Sequence, residues 1–260
     1  LWNQTNEKVI TFTSVSSEGR IKILNYSKIT VMKNAFVSKS NFNFLKELSK
    51  NNNREWFEKN KSRYLEAHEN MIAFTDALLA EMKKHDHIET VSGKKSLFRI
   101  YRDIRFSKDK SPYKTYWAGS FKRATKKLRG GYYFVIGPGQ SLAAGGFFSP
   151  NPADLLRIRK DIDSNFDDWK KLLMNKTLSK TFGKMKGEEV TTAPKGFSKD
   201  NPAIELIRHK QFYFERHFTD KEVMREDFLK TLSQTFKNLR PYFDYMSEML
   251  TTDADGIPLF

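Results

Sequence analysis

The chain has 260 residues, 38% hydrophobic and 14% aromatic, enough to build a core of its own, and a formal net charge of +15. It has no cysteine, which excludes disulfides, thiolate nucleophiles and cysteine-held metals, and no apolar run approaches the roughly 20 residues a membrane helix needs. The charge is concentrated: Lys94 to Arg129 carries thirteen lysines and arginines against only Asp103 and Asp109.

Residues 1–31 show no sustained hydrophobic period and no signal-peptide pattern, and Met32 is followed by Lys33. They are expected to be a weakly ordered N-terminal extension, from a start upstream of Met32 or as a short terminal β-hairpin, leaving 32–260 as one α+β domain. Asn41 to Lys50 reads as a short helix with Phe42, Leu45 and Leu48 on one side, and Asn51, Asn52 and Asn53 offer caps for a second helix. Phe57, Tyr64, Met71 and Leu78 then recur every seven residues, which predicts one long amphipathic helix ending near His85.

From Ser96 the period changes. Alternation over Phe98 to Phe106 predicts a strand with Phe98, Ile100, Arg102, Ile104 and Phe106 on one face and Arg99, Tyr101, Asp103 and Arg105 on the other. Tyr132 to Ile136 and Ser141 to Phe148, around Gly137-Pro138-Gly139, form an antiparallel hairpin. Asn151 before Pro152 starts a helix, with another over Phe166 to Leu173. Gly183 to Asn201 is a loop, Gln211 to Phe218 a strand, and Thr219 with Glu222 a capping box before a helix through Phe228, Leu232 and Phe236 that Pro241 ends or restarts. The resulting fold class is α+β, a mainly antiparallel sheet packed by a long N-terminal helix and a C-terminal helix.

The stretch from Arg99, R-I-Y-R-D-I-R-F-S-K-D-K-S-P-Y, fits R-x-x-R-D-x-R-F-x-x-[DN]-K-x-x-Y in full. It resembles the defining motif of an uncharacterised bacterial and fungal family, domain of unknown function 2461. FLKELSKNNNREWFEKNKSRY at Phe44 to Tyr64, GGYYFVIGP at Gly130 and GGFFSP at Gly145 look like its other stretches. The resemblance implies a single α+β domain and no activity.

Arg99, Arg102, Arg105, Lys110 and Lys114 are the candidate ligand-binding residues, since guanidinium forks and lysines match phosphate or carboxylate. Pro112 stiffens the turn that presents Lys110 and Lys114. Arg102, on the apolar face, should be the most buried and should pair with a carboxylate, available on the long helix as Glu55, Glu58, Glu66, Glu69 or Asp76. If there is chemistry, Asp103 is the candidate general base or arginine orienter; no motif fixes a reaction. Lys122, Arg123, Lys126, Lys127 and Arg129 read as a solvated hairpin or loop. Among the histidines, His209 and His217 are the two that a basic site would recruit, and none makes a metal spacing.

The leading reading is a cytoplasmic protein, without cofactor or membrane partner, whose Arg/Lys pocket takes a phosphate-bearing or other anionic ligand such as a nucleotide or nucleic-acid end. The alternatives are a non-enzymatic nucleic-acid-binding module using the whole basic segment and its aromatics, and a structural ion-pair scaffold.

Overall fold

The computed structural model describes residues 36–253 and 256–259. The expected extension over 1–31 lies outside the described residues.

Ser38 caps the first helix, α1 (Lys39–Lys50), by accepting from the Asn41 N–H, and the predicted Phe42, Leu45 and Leu48 are buried. Asn53 caps α2 (Arg54–Lys59) through the Trp56 N–H, and α3 (Lys61–Met82) comes next. The expected single long helix is therefore two, broken at Asn60, whose ψ of 17° interrupts the turn. The heptad stripe survives the break, since Phe57, Met71 and Leu78 are all buried.

After the short α4 (Gly93–Ser96) comes a four-stranded antiparallel sheet in the order β1-β2-β3-β4: β1 (Trp117–Lys122), β2 (Gly131–Ile136), β3 (Ser141–Phe147) and β4 (Phe212–Phe218). Between β3 and β4 lie α5 (Pro152–Ser164), capped by Asn151 as predicted, α6 (Phe166–Leu173), α7 (Lys176–Phe182), an irregular stretch covering the predicted loop, and α8 (Ile204–Ile207). The Thr219/Glu222 capping box opens only the short α9 (Asp220–Val223); α10 (Phe228–Lys237) is separate, and Pro241 sits in the first turn of α11 (Arg240–Thr251), so it restarts the helix.

Alternation sorts the strands into two faces. One face, with Trp117, Phe121, Tyr132, Phe134, Phe147, Phe212 and Phe214, is buried against α3, α10 and α11. Large rings fill this core: Tyr132 meets Phe243 edge-on at 4.9 Å and Phe214 meets Tyr242 at 5.0 Å. Trp117 fixes the register of β1 against the helices, stacking on Tyr64 and His68 while its Nε1 donates to Asn41 Oδ1 at 2.5 Å. Among the described residues no helix is long and apolar enough to cross a membrane. The result is the expected α+β domain with a mainly antiparallel sheet.

Candidate functional site

Residues 97–116 form isolated bridges and bends and no strand, contrary to the alternation over Phe98 to Phe106. Leu97 bridges to Gly119 and Tyr101 to Tyr113, and the Phe98 N–H donates to the Ala118 carbonyl at 2.8 Å. The segment thus lies along the outer edge of β1 and doubles back, with Lys114 N–H donating to Ile100 O at 2.8 Å and Arg102 N–H to Pro112 O at 2.9 Å. Only Ile100 of the expected apolar face is buried; Phe106 is 96% exposed. Alternating apolar residues misled because the turn that begins at Asp103 is held by side-chain hydrogen bonds, which compete with a ladder.

Those bonds occupy much of the motif. Asp103 accepts from Arg105 at Nη2 (2.7 Å), Nε (3.0 Å) and the backbone N–H (3.2 Å). Asp109 accepts from the Ser111 N–H at 2.9 Å and from Arg102 Nη1, which also donates to Ser111 O at 3.1 Å. Arg102 is the most buried of the motif arginines, as expected, its side chain 25% exposed, but its own turn covers it and not a strand face. Its partner is the exposed Asp109 of its own turn, however, and not the long helix: Glu55 and Glu58 pair with Lys59 and Lys61, and Asp76 accepts from Gly93 N–H. Arg105 stays exposed beside Asp103, and Lys110 donates to Ile104 O at 3.0 Å.

Two of the five expected cations are brought together. Lys114 Nζ donates to Arg99 O at 2.8 Å and sits 5.9 Å over the Phe98 ring. Burial, then the Arg99 charge, lowers the Lys114 pKa. The Arg99 guanidinium itself has no hydrogen-bond or ion-pair partner among the described residues. Asp103 makes a weak base, because the hydrogen bonds from Arg105 lower its pKa and occupy both carboxylate oxygens; it orients Arg105 instead.

Arg99 and Lys114 border the sheet face that the core helices leave open. Its cross-strand rows are Ala118, Val135, Leu142 and His217; Ser120, Tyr133, Ala144 and Glu215; and Lys122, Gly131, Gly146 and Tyr213. A continuous line of rings crosses it: Phe98 to Tyr133 at 6.1 Å, Tyr133 to Phe148 at 6.4 Å and Phe148 to Tyr213 at 4.7 Å. Phe98 and Phe148 are exposed. His217 lies on this face, bound to Glu215 at 3.0 Å, whereas His209 is buried near Glu189 and does not join it.

The second basic cluster divides. Lys122, Lys126 and Arg129 line an open depression of about 590 Å³ with Glu89, which pairs with Lys122 at 3.1 Å. Arg123, expected in a solvated loop, is instead fully buried. The signal was parity: Arg123, in an isolated bridge with Ile88 just past β1, continues the face of Trp117, Gly119 and Phe121, on a strand that the sequence pattern did not reveal. Arg123 donates to Asp86 (Nε to Oδ2, 2.7 Å), to Arg129 O at 2.9 Å and to Ser247 Oγ at 3.1 Å. Asp86 also accepts from the Tyr132 hydroxyl at 2.6 Å and pairs with Arg240 at 3.2 Å. Burial raises the Asp86 pKa, but hydrogen bonds from Arg123 and Tyr132 and the two arginine charges outweigh it and hold the carboxyl below its ordinary value. This network ties β1 to the end of α3 and to α11.

A model of the family described as "Conserved hypothetical protein (DUF2461)" matches residues 40–245. Neither the comparison with curated proteins nor that with solved structures returns a match.

Proposed function

The chain belongs to this family, and we propose that it binds a phosphate-bearing anion at the edge of its open sheet face, through Arg99 and Lys114. The observation that carries this reading is the exposed Arg99 guanidinium, without a hydrogen-bond partner among the described residues, whose charge is felt by a partly buried Lys114 more than it is neutralised by Asp103 at longer range. Two cations kept close, one of them desolvated, repel each other until an anion neutralises them. The planar fork of Arg99 suits two phosphate oxygens, and Lys114 adds a point charge. Lys122 and Lys126 extend the positive edge along the same side of β1. Arg102, Arg105 and Lys110 shape the turn that presents Arg99.

Inorganic phosphate or a nucleotide should raise the unfolding midpoint beyond sodium chloride of equal ionic strength, since only a ligand selective for the folded state does so. Arg99→Ala should remove that increment and leave the fold intact. The Arg102–Asp109 pair favours a scaffold role for that arginine; if scaffolding were the role of the whole motif, no anion in such a panel would stabilise the protein.

A further inference from the structure

In the row Lys122, Gly131, Gly146 and Tyr213, the two central positions carry no side chain. The gap forms an apolar groove of about 530 Å³, floored by Gly131 and Gly146 and bordered by Tyr133 and Phe148. At Gly146 the bare backbone is obligatory: φ is +149°, and a Cβ would overlap the Phe212 carbonyl oxygen. At Gly131 it is not, because a Cβ would meet only Phe121 O at 3.5 Å. The missing side chain there leaves space without relieving a clash.

The groove adjoins the basic depression, since Lys122 and Gly130 line both. A flat apolar slot edged by rings therefore adjoins a lip of positive charge. On the other side of Tyr133 lies Phe98, 6.1 Å away, with Lys114 over its ring. A ligand that runs along this face meets ring and cation, then ring and cation again. An acyl chain would use the groove but not the repeated pairing, and a duplex hides its base faces in its own stack.

Resting on the anion-binding reading above, we propose that the ligand is single-stranded nucleic acid. One base lies in the glycine groove against Tyr133 or Phe148, with its phosphate on Lys122 and Lys126. A neighbouring base stacks on Phe98, with its phosphate on Lys114 and Arg99. Lys122 exchanges its exposed contact with Glu89 for phosphate at little cost, because such surface pairs are weak. Every base has a ring face, so the site selects single strands over duplexes more strongly than it selects sequence.

The test uses the full chain with fluorescent oligothymidylate and oligouridylate about ten nucleotides long, within the roughly 4–16 nucleotide footprint of single-strand sites, the same DNA as a duplex, and polyphosphate. Single strands should bind at least about tenfold more tightly than the duplex, and the two oligomers separate DNA from RNA as the source. Gly131→Val should fill the groove and Tyr133→Ala should remove its wall; each should weaken single-strand binding about tenfold or more, in line with the loss of one stacked base. Neither should alter polyphosphate binding. Thermal melts establish that each variant is folded, and Tyr133→Ala carries the readout should Gly131→Val fail to fold. If polyphosphate and duplex bind as well as single strands, or both variants leave oligonucleotide affinity unchanged, the base-binding inference falls while the anion reading stands. If no polyanion binds at all, both fall.

Discussion

Arg123 and Asp86 form a fully buried ion pair, Nε 2.7 Å from Oδ2, with neither side chain exposed to solvent. Two charges are kept out of water only because each is saturated: Asp86 has Tyr132 and Arg240, and Arg123 has Arg129 O, Ser247 and Asp244. Removing Arg123 takes away the fully buried cation and leaves Asp86 with the Tyr132 hydroxyl and the partly exposed Arg240. Arg123→Ala should therefore destabilise the protein by roughly 3–5 kcal/mol in denaturant unfolding. A loss below about 1 kcal/mol would mean that water reaches Asp86.

Arg102→Ala should cost far less, on the order of 1 kcal/mol, because its partner Asp109 is exposed. The pair has a pH signature. Hydrogen bonds from Ser111, then from Arg102, hold the Asp109 carboxyl down at about 2 from 3.8. A depressed carboxylate stabilises the fold above its unfolded pKa, and that contribution is lost as pH falls through the folded value. The gap in unfolding midpoint between the native protein and Asp109→Asn should be full above 3.8 and close as pH falls toward about 2. A gap independent of pH would assign the effect to turn geometry instead of charge.

The sequence revealed those parts of the fold in which a local pattern and the tertiary environment agree. The Phe57, Met71 and Leu78 stripe, the Asn151 cap, the β2–β3 hairpin and the Thr219/Glu222 box are all settled within a turn or two of chain. Strand β1 was not legible, because Trp117, Ala118 and Gly119 are buried in succession and Gly119, which faces Phe134 across the sheet, carries no side chain, so no period of two shows in the sequence. With β1 unseen, the parity that buries Arg123 was hidden, and its charge made a solvated loop the natural reading. The same holds for the open face: its aromatic line joins Phe98, Tyr133, Phe148 and Tyr213 from four separate segments.

Gly131 and Gly146 are cross-strand neighbours with opposite tolerances. Gly146→Ala must place a methyl group on the Phe212 carbonyl at a backbone angle that L-residues avoid, and Gly131→Ala meets only ordinary contact. Thermal melts should show Gly146→Ala destabilised by roughly 2 kcal/mol or more, or unfolded, and Gly131→Ala within about 0.5 kcal/mol of the native protein. Equal losses would mean that the groove floor is packed from above.

Lys114 should give anion binding an alkaline limit. Burial and the neighbouring Arg99 lower its pKa from 10.5, so the folded protein releases this proton at a pH where an ordinary lysine still holds it. The sign is the reverse of a stabilising pair: without ligand, the cost of the buried charge is present at neutral pH and disappears as pH rises through the lowered pKa. The ligand needs that charge. The phosphate-induced rise in unfolding midpoint should therefore shrink as pH rises from neutral toward 10.5. Lys114→Arg cannot lose its proton in this range, so its phosphate increment should stay flat with pH. If the native protein and Lys114→Arg lose the increment in parallel, the alkaline limit comes from another group and Lys114 does not hold the anion.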